Sequence, residues 1–265
     1  MTDRRSWYHT IDLPGGPTPG YYDTRRAPSF VPWPAAVSGG RCLDVGAFDG
    51  FWAFEMERRG AAEVVAIDLD DPRKLDWPYD RREWGPAAIE QWASGRGPGF
   101  AEAAAALGSK AKWAARSVYE LDPEVDGTFD VVFCGALLLH LRDPVLALER
   151  MRAVCKGSLV LAEAIDPPLE LFVPWLPAAH LYPERDEWWR VNSAGLVRMV
   201  HVAGFRVGRV AKRFVVPLGA GAPADHRISR LSGLAARRPG RRGILTRSLV
   251  AEPRPPTEAD LRRDE

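Results

Sequence analysis

The sequence has no apolar run that approaches the roughly 18 residues that a membrane-spanning helix needs. Its first ten residues, MTDRRSWYHT, lack the apolar core of a secretion signal. Cysteine is scarce, since only Cys42, Cys134 and Cys155 occur, and they are scattered without the spacing of a disulfide framework or a zinc site. We therefore expect reduced core thiols in a cytoplasmic protein, with no membrane association. No spacing of histidines and acids is typical of a metal site, so we predict no bound metal.

Strong charge of one sign is also missing. The 265 residues carry 36 lysines and arginines against 35 aspartates and glutamates, a net charge of +1. Bulk charge therefore points to no particular partner. The charge is uneven, however, because residues 206–247 hold eleven basic residues and one acid, Asp225. Such a segment is either a solvated loop or an attractor of anions, which would be a small acidic substrate or an RNA backbone.

What the sequence does contain is an alternation of short apolar runs with segments of helical periodicity. Helices are predicted over 51–60, 143–157 and 193–205, the last two with Asp143 and Ser193 as N-caps. Strands are predicted over 41–46, 63–70, 113–121, 129–135, 158–164, 206–211 and 244–253. This alternation predicts an α/β fold with a doubly wound, mostly parallel, seven-stranded Rossmann-like sheet whose last strand is antiparallel. In such sheets the ligand binds at the carboxyl ends of the strands.

The length suits one domain with additions. We expect residues 1–38 to form a lid or cap and residues 39–253 to form the main domain. Within that domain, we expect 166–192 to be an inserted lid and 215–243 a basic loop. Residues 254–265, rich in proline and charge, are expected to be a flexible tail.

The stretch LDVGAFDGFWAF, residues 43–54, is typical of the turn between a buried strand and a helix at a nucleotide site. Gly46 permits a sharp exit from the strand, and Gly50 permits close packing where the helix begins. A dinucleotide site has a middle glycine that lets a pyrophosphate touch the backbone, whereas this turn carries Phe48. The turn therefore favours a ligand with no phosphate there. S-adenosylmethionine (SAM) is such a ligand, because its amino-acid end would lie at the turn.

An acid stands where the ribose of an adenosine would be expected. Asp68 closes the second predicted strand, 22 residues after Gly46. An acid about 20 residues beyond the turn, at that strand end, receives ribose hydroxyls in dinucleotide sites. Its oxygens only accept hydrogen bonds, which suits a diol. Asp70 is the alternative residue for this role.

Three segments carry a resemblance to a known family. They are LDVGAFDGFWAFEMERRGA, VVAIDLDD and GTFDVVFCGALLLHLRDPVLALERMRAVCKG. Together they resemble class I SAM-dependent methyltransferases, most closely the subfamily of tRNA wobble-uridine (5-oxyacetate) methyl- and carboxymethyltransferases and their bacterial relatives. The N-terminal WYHTIDLPGGPTPGYYDTR also resembles that subfamily. The match is strongest over residues 40–165.

The resemblance implies roles for particular residues toward SAM, or toward its demethylated product S-adenosylhomocysteine. Gly46 and Gly50 would frame the methionine end, with Asp44 beneath the turn. Asp68 would hold the ribose, and Val118 and Tyr119 would flank the adenine. Many relatives place an acid in that loop, where this chain has Ser117. Cys134 would lie near the sulfonium. The cofactor-binding set is therefore Asp44, Gly46, Gly50, Asp68, Ser117, Val118, Tyr119 and Cys134.

Two histidines are candidates for a general base, because a hydroxyl acceptor needs one and histidine is the commonest choice. His140 follows the fourth strand and is equally placed for a structural role. His9 lies in a Trp-Tyr-His cluster that could cover a substrate. Glu163, at the end of the fifth strand, either contacts substrate or caps a turn. The predicted substrate-binding residues are Tyr22, Glu163, Trp188 and Arg237.

The sequence thus predicts a SAM-dependent methyltransferase that acts on a small anionic or aromatic molecule. Modification of a tRNA wobble uridine is the second hypothesis. A third, from another class, is a non-catalytic SAM-fold binding protein or an NAD-dependent oxidoreductase. The oligomeric state is not predicted.

Overall fold

The computed structural model describes residues 7–78, 98–181, 187–223, 231–237 and 242–255. Parts of the predicted lid 166–192, basic loop 215–243 and tail 254–265 lie outside these ranges, among them Arg227, Arg230, Arg238 and Arg241. None of the helices in the described ranges is both long and apolar enough to cross a membrane.

A central mixed sheet of eight strands organises the chain. Its first five members are β5 (Arg41–Val45), β6 (Glu63–Asp68), β7 (Lys112–Ala115), β8 (Phe129–Gly135) and β9 (Cys155–Ala164). The last three are β12 (Phe205–Val210), β13 (Phe214–Val216) and β14 (Ile244–Pro253). The strand order is β12-β14-β9-β8-β5-β6-β7, with β13 paired to β14. Pairing among β5 to β9 is parallel, and β14 is antiparallel to β9 and to β12. The predicted fold class is therefore confirmed.

Smaller strands lie outside this sheet. They are β1 (Trp7–His9), β2 (Asp12–Leu13), β3 (Gly16–Pro17), β4 (Gly20–Tyr22), β10 (Ala179–Leu181) and β11 (Trp189–Val191). The α-helices are α1 (Phe51–Arg58), α2 (Pro98–Leu107), α3 (Pro123–Asp126), α4 (Pro144–Val154), α5 (Pro167–Phe172), α6 (Ser193–Val202) and α7 (Leu231–Ala235).

Apolar layers cover both faces of the sheet, which is why its central strands read as nearly continuous apolar runs. On one face, Leu148 and Met151 of α4 pack with Leu196 of α6 in one core cluster. On the other face, Trp52 and Met56 of α1 belong to a second cluster. The crossovers thus place the loops that follow the parallel strands at one edge of the sheet.

Local signals explain most helix boundaries, with two corrections. Asp143 caps α4 as predicted, and its Oδ1 accepts the N–H of Leu146 at 2.9 Å. However, α4 ends at Val154, three residues before the predicted end, because the β9 strand already begins at Cys155. Ser193 was predicted to cap α6, but Asn192 does so by accepting the N–H of Gly195 at 2.8 Å.

The N-terminal segment folds over the carboxyl edge of the sheet. Strands β1 and β4 pair in parallel, with His9 opposite Tyr22. Two contacts join this segment to the chain after β13. One is a β-bridge between Tyr22 and Leu218. The other is a hydrogen bond of 2.9 Å from the N–H of Asp23 to the carbonyl of Pro217. The connection from β12 to β14 therefore leaves the sheet on this edge, as its antiparallel geometry predicts.

Candidate functional site

A cavity of about 670 Å³ opens at the carboxyl edge of β5, β6 and β8. This volume lies within the usual range for small-molecule sites. The turn after β5, the end of β6 and the loop after β7 line one part of the cavity. The N-terminal segment, together with β13 and β14, lines another part. We call the first part the cofactor half and the second part the acceptor wall. The acceptor wall comprises Tyr8, His9, Tyr21, Tyr22, Thr24, Phe214, Val216, Ile244 and Thr246.

The turn after β5 is held by hydrogen bonds to β6. The N–H groups of Gly46 and Ala47 donate to the carbonyl of Ile67 at 2.9 and 3.0 Å. Gly46 has φ +75°, a left-handed conformation that favours glycine. Phe48 is also left-handed, with φ +49°, and its ring lies 5.0 Å from that of Tyr8. The Phe48 side chain thus occupies the cavity wall where a dinucleotide pyrophosphate would need bare backbone.

Asp68 lies at the end of β6, on the cavity wall. Its Oδ2 accepts the N–H of Phe48 at 2.8 Å, and its Oδ1 accepts the N–H of Leu69 at 2.7 Å. These two bonds fix the carboxylate and tie the end of β6 to the turn after β5. Asp70, the alternative residue, is half exposed and paired with Lys74 at 3.1 Å. The geometry therefore favours Asp68 over Asp70 as the acceptor for a ribose diol.

The loop after β7 forms a short 3₁₀ helix, Val118–Glu120, that lines the same half. Ser117 caps this helix, since its Oγ accepts the N–H of Tyr119 at 3.3 Å while its own N–H donates to Glu120 Oε2 at 3.2 Å. Tyr119 donates its hydroxyl proton to Asp76 Oδ2 at 2.6 Å. Ser117, Val118 and Tyr119 all line the cavity, as the predicted adenine contacts would require.

Asp44 and Gly50 support the turn from behind the cavity wall. Asp44 is buried, one of its oxygens accepts the N–H of Ala53, and its Oδ2 has no hydrogen-bond partner among the described residues. Burial raises the pKa of Asp44 to about 8, and Asp68 and Asp49 add to this by repulsion. Gly50 has φ +89°, and a Cβ there would lie 2.6 Å from the rings of Phe54 and Phe100. Its glycine is therefore needed for packing.

Asp49 is a functional candidate that the sequence reasoning missed. Its side chain is buried, and its Oδ1 forms a hydrogen bond with Nδ1 of His9. Its Oδ2 also accepts the N–H of His9 at 2.8 Å and that of Tyr8 at 3.0 Å. The His9 ring lines the cavity and stacks on Phe51 at 5.3 Å. An acid within the glycine turn was the available signal, but its partner lies 40 residues away in the sequence.

Three other predicted residues lie on or near the cavity. His140 lines it from a short 3₁₀ helix, Leu138–His140, that follows β8. Tyr22 lines the acceptor wall, and its ring lies 5.2 Å from that of Tyr8. Trp188 does not line the cavity. Its indole N–H donates to the carbonyl of Asp76 at 2.6 Å, so it braces a wall residue instead.

Three of the predicted residues do not line the cavity. Ala162 and Ala164 line the cavity, and because successive strand residues point to opposite faces, Glu163 points away from it. Cys134 is buried in the core and donates its thiol proton to Glu163 at 3.5 Å, so its side chain does not reach the cofactor half. Arg237 is exposed, two residues beyond the end of α7, and is absent from the cavity wall.

Glu163 has a structural role instead. Its Oε1 accepts the N–H groups of Leu137 and Leu138 at 3.2 and 3.4 Å, which fixes the loop after β8. Burial raises the pKa of Glu163 to about 7, and these hydrogen bonds oppose that effect.

The cations that line the cavity in the described ranges lie outside the acceptor wall, and each has an acidic partner. Lys74 pairs with Asp70 at 3.1 Å and Arg190 pairs with Glu187 at 2.6 Å. Arg116 pairs with Asp126 at 2.8 Å. The acceptor wall itself is aromatic, aliphatic and hydroxyl-bearing.

Solved structures of other proteins share this fold. The N-terminal domain of EvdMO1, solved with S-adenosylhomocysteine bound, has a TM-score of 0.54 and 14% identity, covering 95% of this chain and 93% of that chain. The Burkholderia thailandensis 1,6-didemethyltoxoflavin-N1-methyltransferase, solved with 1,6-didemethyltoxoflavin and S-adenosylhomocysteine, has a TM-score of 0.51 and 16% identity, covering 82% and 72%. At these identities the likenesses establish the fold. A search of the curated proteins finds no significant match.

A match to a protein-family model assigns the chain to a family, which the likeness in fold alone does not do. Residues 22–209 match the methyltransferase domain family, Methyltransf_23, and this span includes the glycine turn, Asp68 and the loops after β7 and β8. The prediction of a methyltransferase is thereby confirmed. The chain belongs to the methyltransferase domain family.

Proposed function

We propose that this methyltransferase binds SAM in the cofactor half and methylates a small, largely aromatic molecule held against the acceptor wall. The observation that carries the proposal is the acceptor wall itself, in which tyrosines, apolar side chains and hydroxyls line a single cavity with the cofactor half. Such a surface favours a planar organic molecule with a few polar groups.

The residues of the cofactor half fit SAM. The fixed carboxylate of Asp68 is placed to accept hydrogen bonds from the ribose hydroxyls, and Val118 and Leu69 offer apolar contacts to the adenine. The unpartnered Oδ2 of Asp44 lies beneath the turn that would receive the methionine end. Bound SAM supplies the electrophilic methyl group, so the protein has to align the acceptor and exclude water.

In this proposal, each segment around the cavity has a separate role. Residues 1–38 act as a cap, since strands β1 and β4 supply most of the aromatic acceptor wall. The segment 166–192 is proposed as an inserted lid, because Glu187 and Arg190 in its described part line the cavity. The main domain of residues 39–253 supplies the cofactor half.

Methylation of a tRNA wobble uridine is the alternative. The excess of arginines over residues 206–247 favours it, because RNA binding depends on unpaired cations. Of the arginines in the described part of the 215–243 loop, Arg237 and Arg242 are exposed and do not line the cavity. The cations that line it are paired with acids. We therefore favour the small acceptor.

Neither alternative from another class has comparable support. An NAD-dependent oxidoreductase would need backbone free for a pyrophosphate at the turn where the Phe48 ring lies. A non-catalytic binding protein would not need an acceptor wall joined to the cofactor half.

The test is to incubate the protein with SAM labelled on its methyl group, in parallel with a small-molecule extract and with total tRNA of the source cells. The proposal expects label in molecules that pass an ultrafilter, and none in precipitated RNA. Label confined to tRNA would establish the alternative. The salt dependence gives a second readout, because RNA binding has a log–log slope of roughly −0.7 for each single-strand phosphate contact.

A further inference from the structure

Two buried side chains that are 40 residues apart in the sequence meet where the acceptor wall joins the cofactor half. The side chains of His9 and Asp49 are 6% and 1% exposed. Nδ1 of His9 faces Oδ1 of Asp49, and Oδ2 of Asp49 accepts the backbone N–H groups of Tyr8 and His9. The two carboxylate oxygens thus have separate tasks.

The Oδ2 contacts tie the backbone of β1 to the turn after β5. The Oδ1 contact does something different, because a carboxylate oxygen accepts a proton from Nδ1 and so fixes the imidazole tautomer. In that tautomer Nε2 has no proton. Since Nδ1 is engaged by Asp49 and the ring lines the cavity, Nε2 is the nitrogen that a molecule on the acceptor wall can reach.

We infer that His9 and Asp49 form a general-base pair and that the methyl acceptor therefore presents a hydroxyl group. This inference rests on the proposed function. An amine or thiolate needs little help from a base, whereas a hydroxyl must lose its proton as the new bond forms. His9 is the catalytic residue of the pair, and Asp49 is a positioning residue.

The reaction transfers a methyl group to the acceptor and a proton from the acceptor to His9. The acceptor oxygen forms a bond to the methyl carbon while its proton moves to His9 Nε2. The carbon–sulfur bond breaks, its electron pair stays on sulfur, and the sulfonium becomes the neutral thioether of S-adenosylhomocysteine. The resulting imidazolium is stabilised by the Asp49 carboxylate, and His9 returns its proton to water after the product leaves.

The position of the pair agrees with this role. Asp49 belongs to the same turn as Gly46 and Phe48, so the residue that orients the base also belongs to the segment that would receive the methionine end. The His9 ring is further fixed by stacking on Phe51. On the same wall, Thr24 is buried and its Oγ1 has no hydrogen-bond partner among the described residues, so it can orient a polar group of the acceptor.

The first test needs no acceptor. Histidine-selective ¹⁵N labelling and long-range ¹H–¹⁵N spectra report the tautomer of each of the five histidines. His9 is assigned by the loss of its signals in His9→Gln. At a pH at which the His9 ring is neutral, we expect its proton on Nδ1, both with and without bound S-adenosylhomocysteine. A proton on Nε2 would overturn the inference.

Asp49→Asn separates positioning from structure. The Asn carbonyl can still accept the N–H groups of Tyr8 and His9, so the fold and SAM affinity should persist. Its amide now donates toward Nδ1, which forces the proton onto Nε2. We expect the tautomer to switch and turnover to fall on the order of 10²–10⁴-fold. A tautomer switch with unchanged turnover would remove His9 as the base, and loss of SAM binding would show a structural role only.

The product gives the last readout. With SAM carrying a ¹³C-methyl group, the inference expects an O-methyl carbon signal in the methylated small molecule. An N-, S- or C-methyl product overturns it while leaving the proposed function intact. Failure of the unmodified protein to bind SAM would instead refute the proposed function itself. If replacing His140 removed the acid limb of the pH–rate profile while His9→Gln kept its turnover, the role of base would pass to His140.

Discussion

Replacing Asp68 tests the cofactor half most specifically. We propose that its carboxylate accepts hydrogen bonds from the ribose hydroxyls while holding the N–H groups of Phe48 and Leu69. A hydrogen bond to a charged group contributes about 1.5–3 kcal/mol. Since 1.4 kcal/mol is a factor of ten in Kd, Asp68→Ala should weaken SAM binding roughly 10- to 100-fold. Titration calorimetry with SAM and with S-adenosylhomocysteine measures this directly.

The control for that experiment is Asp70→Ala. Asp70 is half exposed and paired with Lys74, so we expect SAM affinity to stay within about twofold. The comparison is meaningful only if both variants remain folded, which their melting curves will show. Unchanged SAM affinity in Asp68→Ala, or a larger loss in Asp70→Ala, would refute the assignment of the ribose to Asp68.

Three further predictions concern the turn after β5 and the residues that support it. Phe48→Gly relieves a left-handed φ of +49° and keeps the N–H that donates to Asp68, so calorimetry should show SAM affinity retained and no NAD affinity gained. Gly50→Ala should lower the free energy of unfolding by about 1–3 kcal/mol more than Gly39→Ala, since both have positive φ but only Gly50 has rings 2.6 Å from the new Cβ. Asp44→Asn should raise the melting temperature at pH 8 and change it little at pH 4. The folded pKa of Asp44, about 8, exceeds its usual value of 3.8, so the folded state binds the extra proton and stability falls as pH rises between these values. Equal effects of Asp44→Asn at both pH values would contradict the pKa assignment.

The sheet could be predicted from the sequence because its central strands are short apolar runs between helices with recognisable caps. Asp143 is one such cap, and it acts as predicted. The strand β13 was not predicted, because three residues between polar neighbours carry little periodic signal. Its pairing with β14 depends on a long-range contact that local propensity does not encode.

The site residues that stand at the ends of the parallel strands could be predicted from the sequence. Gly46 and Asp68 stand at the ends of adjacent parallel strands, so their meeting at the cavity follows from the fold. Glu163 was misassigned because β9 is buried on both faces, so the sequence carries no alternation to show which residues face the cavity. Asp49 was missed because its partner, His9, reaches it only through the folding of the N-terminal segment.

The most direct test of the central claim is the identity of the small molecule that the purified protein binds. Mass spectrometry of the denatured protein reports any co-purified ligand, and calorimetry on the ligand-free protein compares SAM with NAD. The account predicts SAM or S-adenosylhomocysteine near one per chain, and no measurable NAD binding. Co-purified NAD, or NAD binding in the absence of SAM binding, would contradict it.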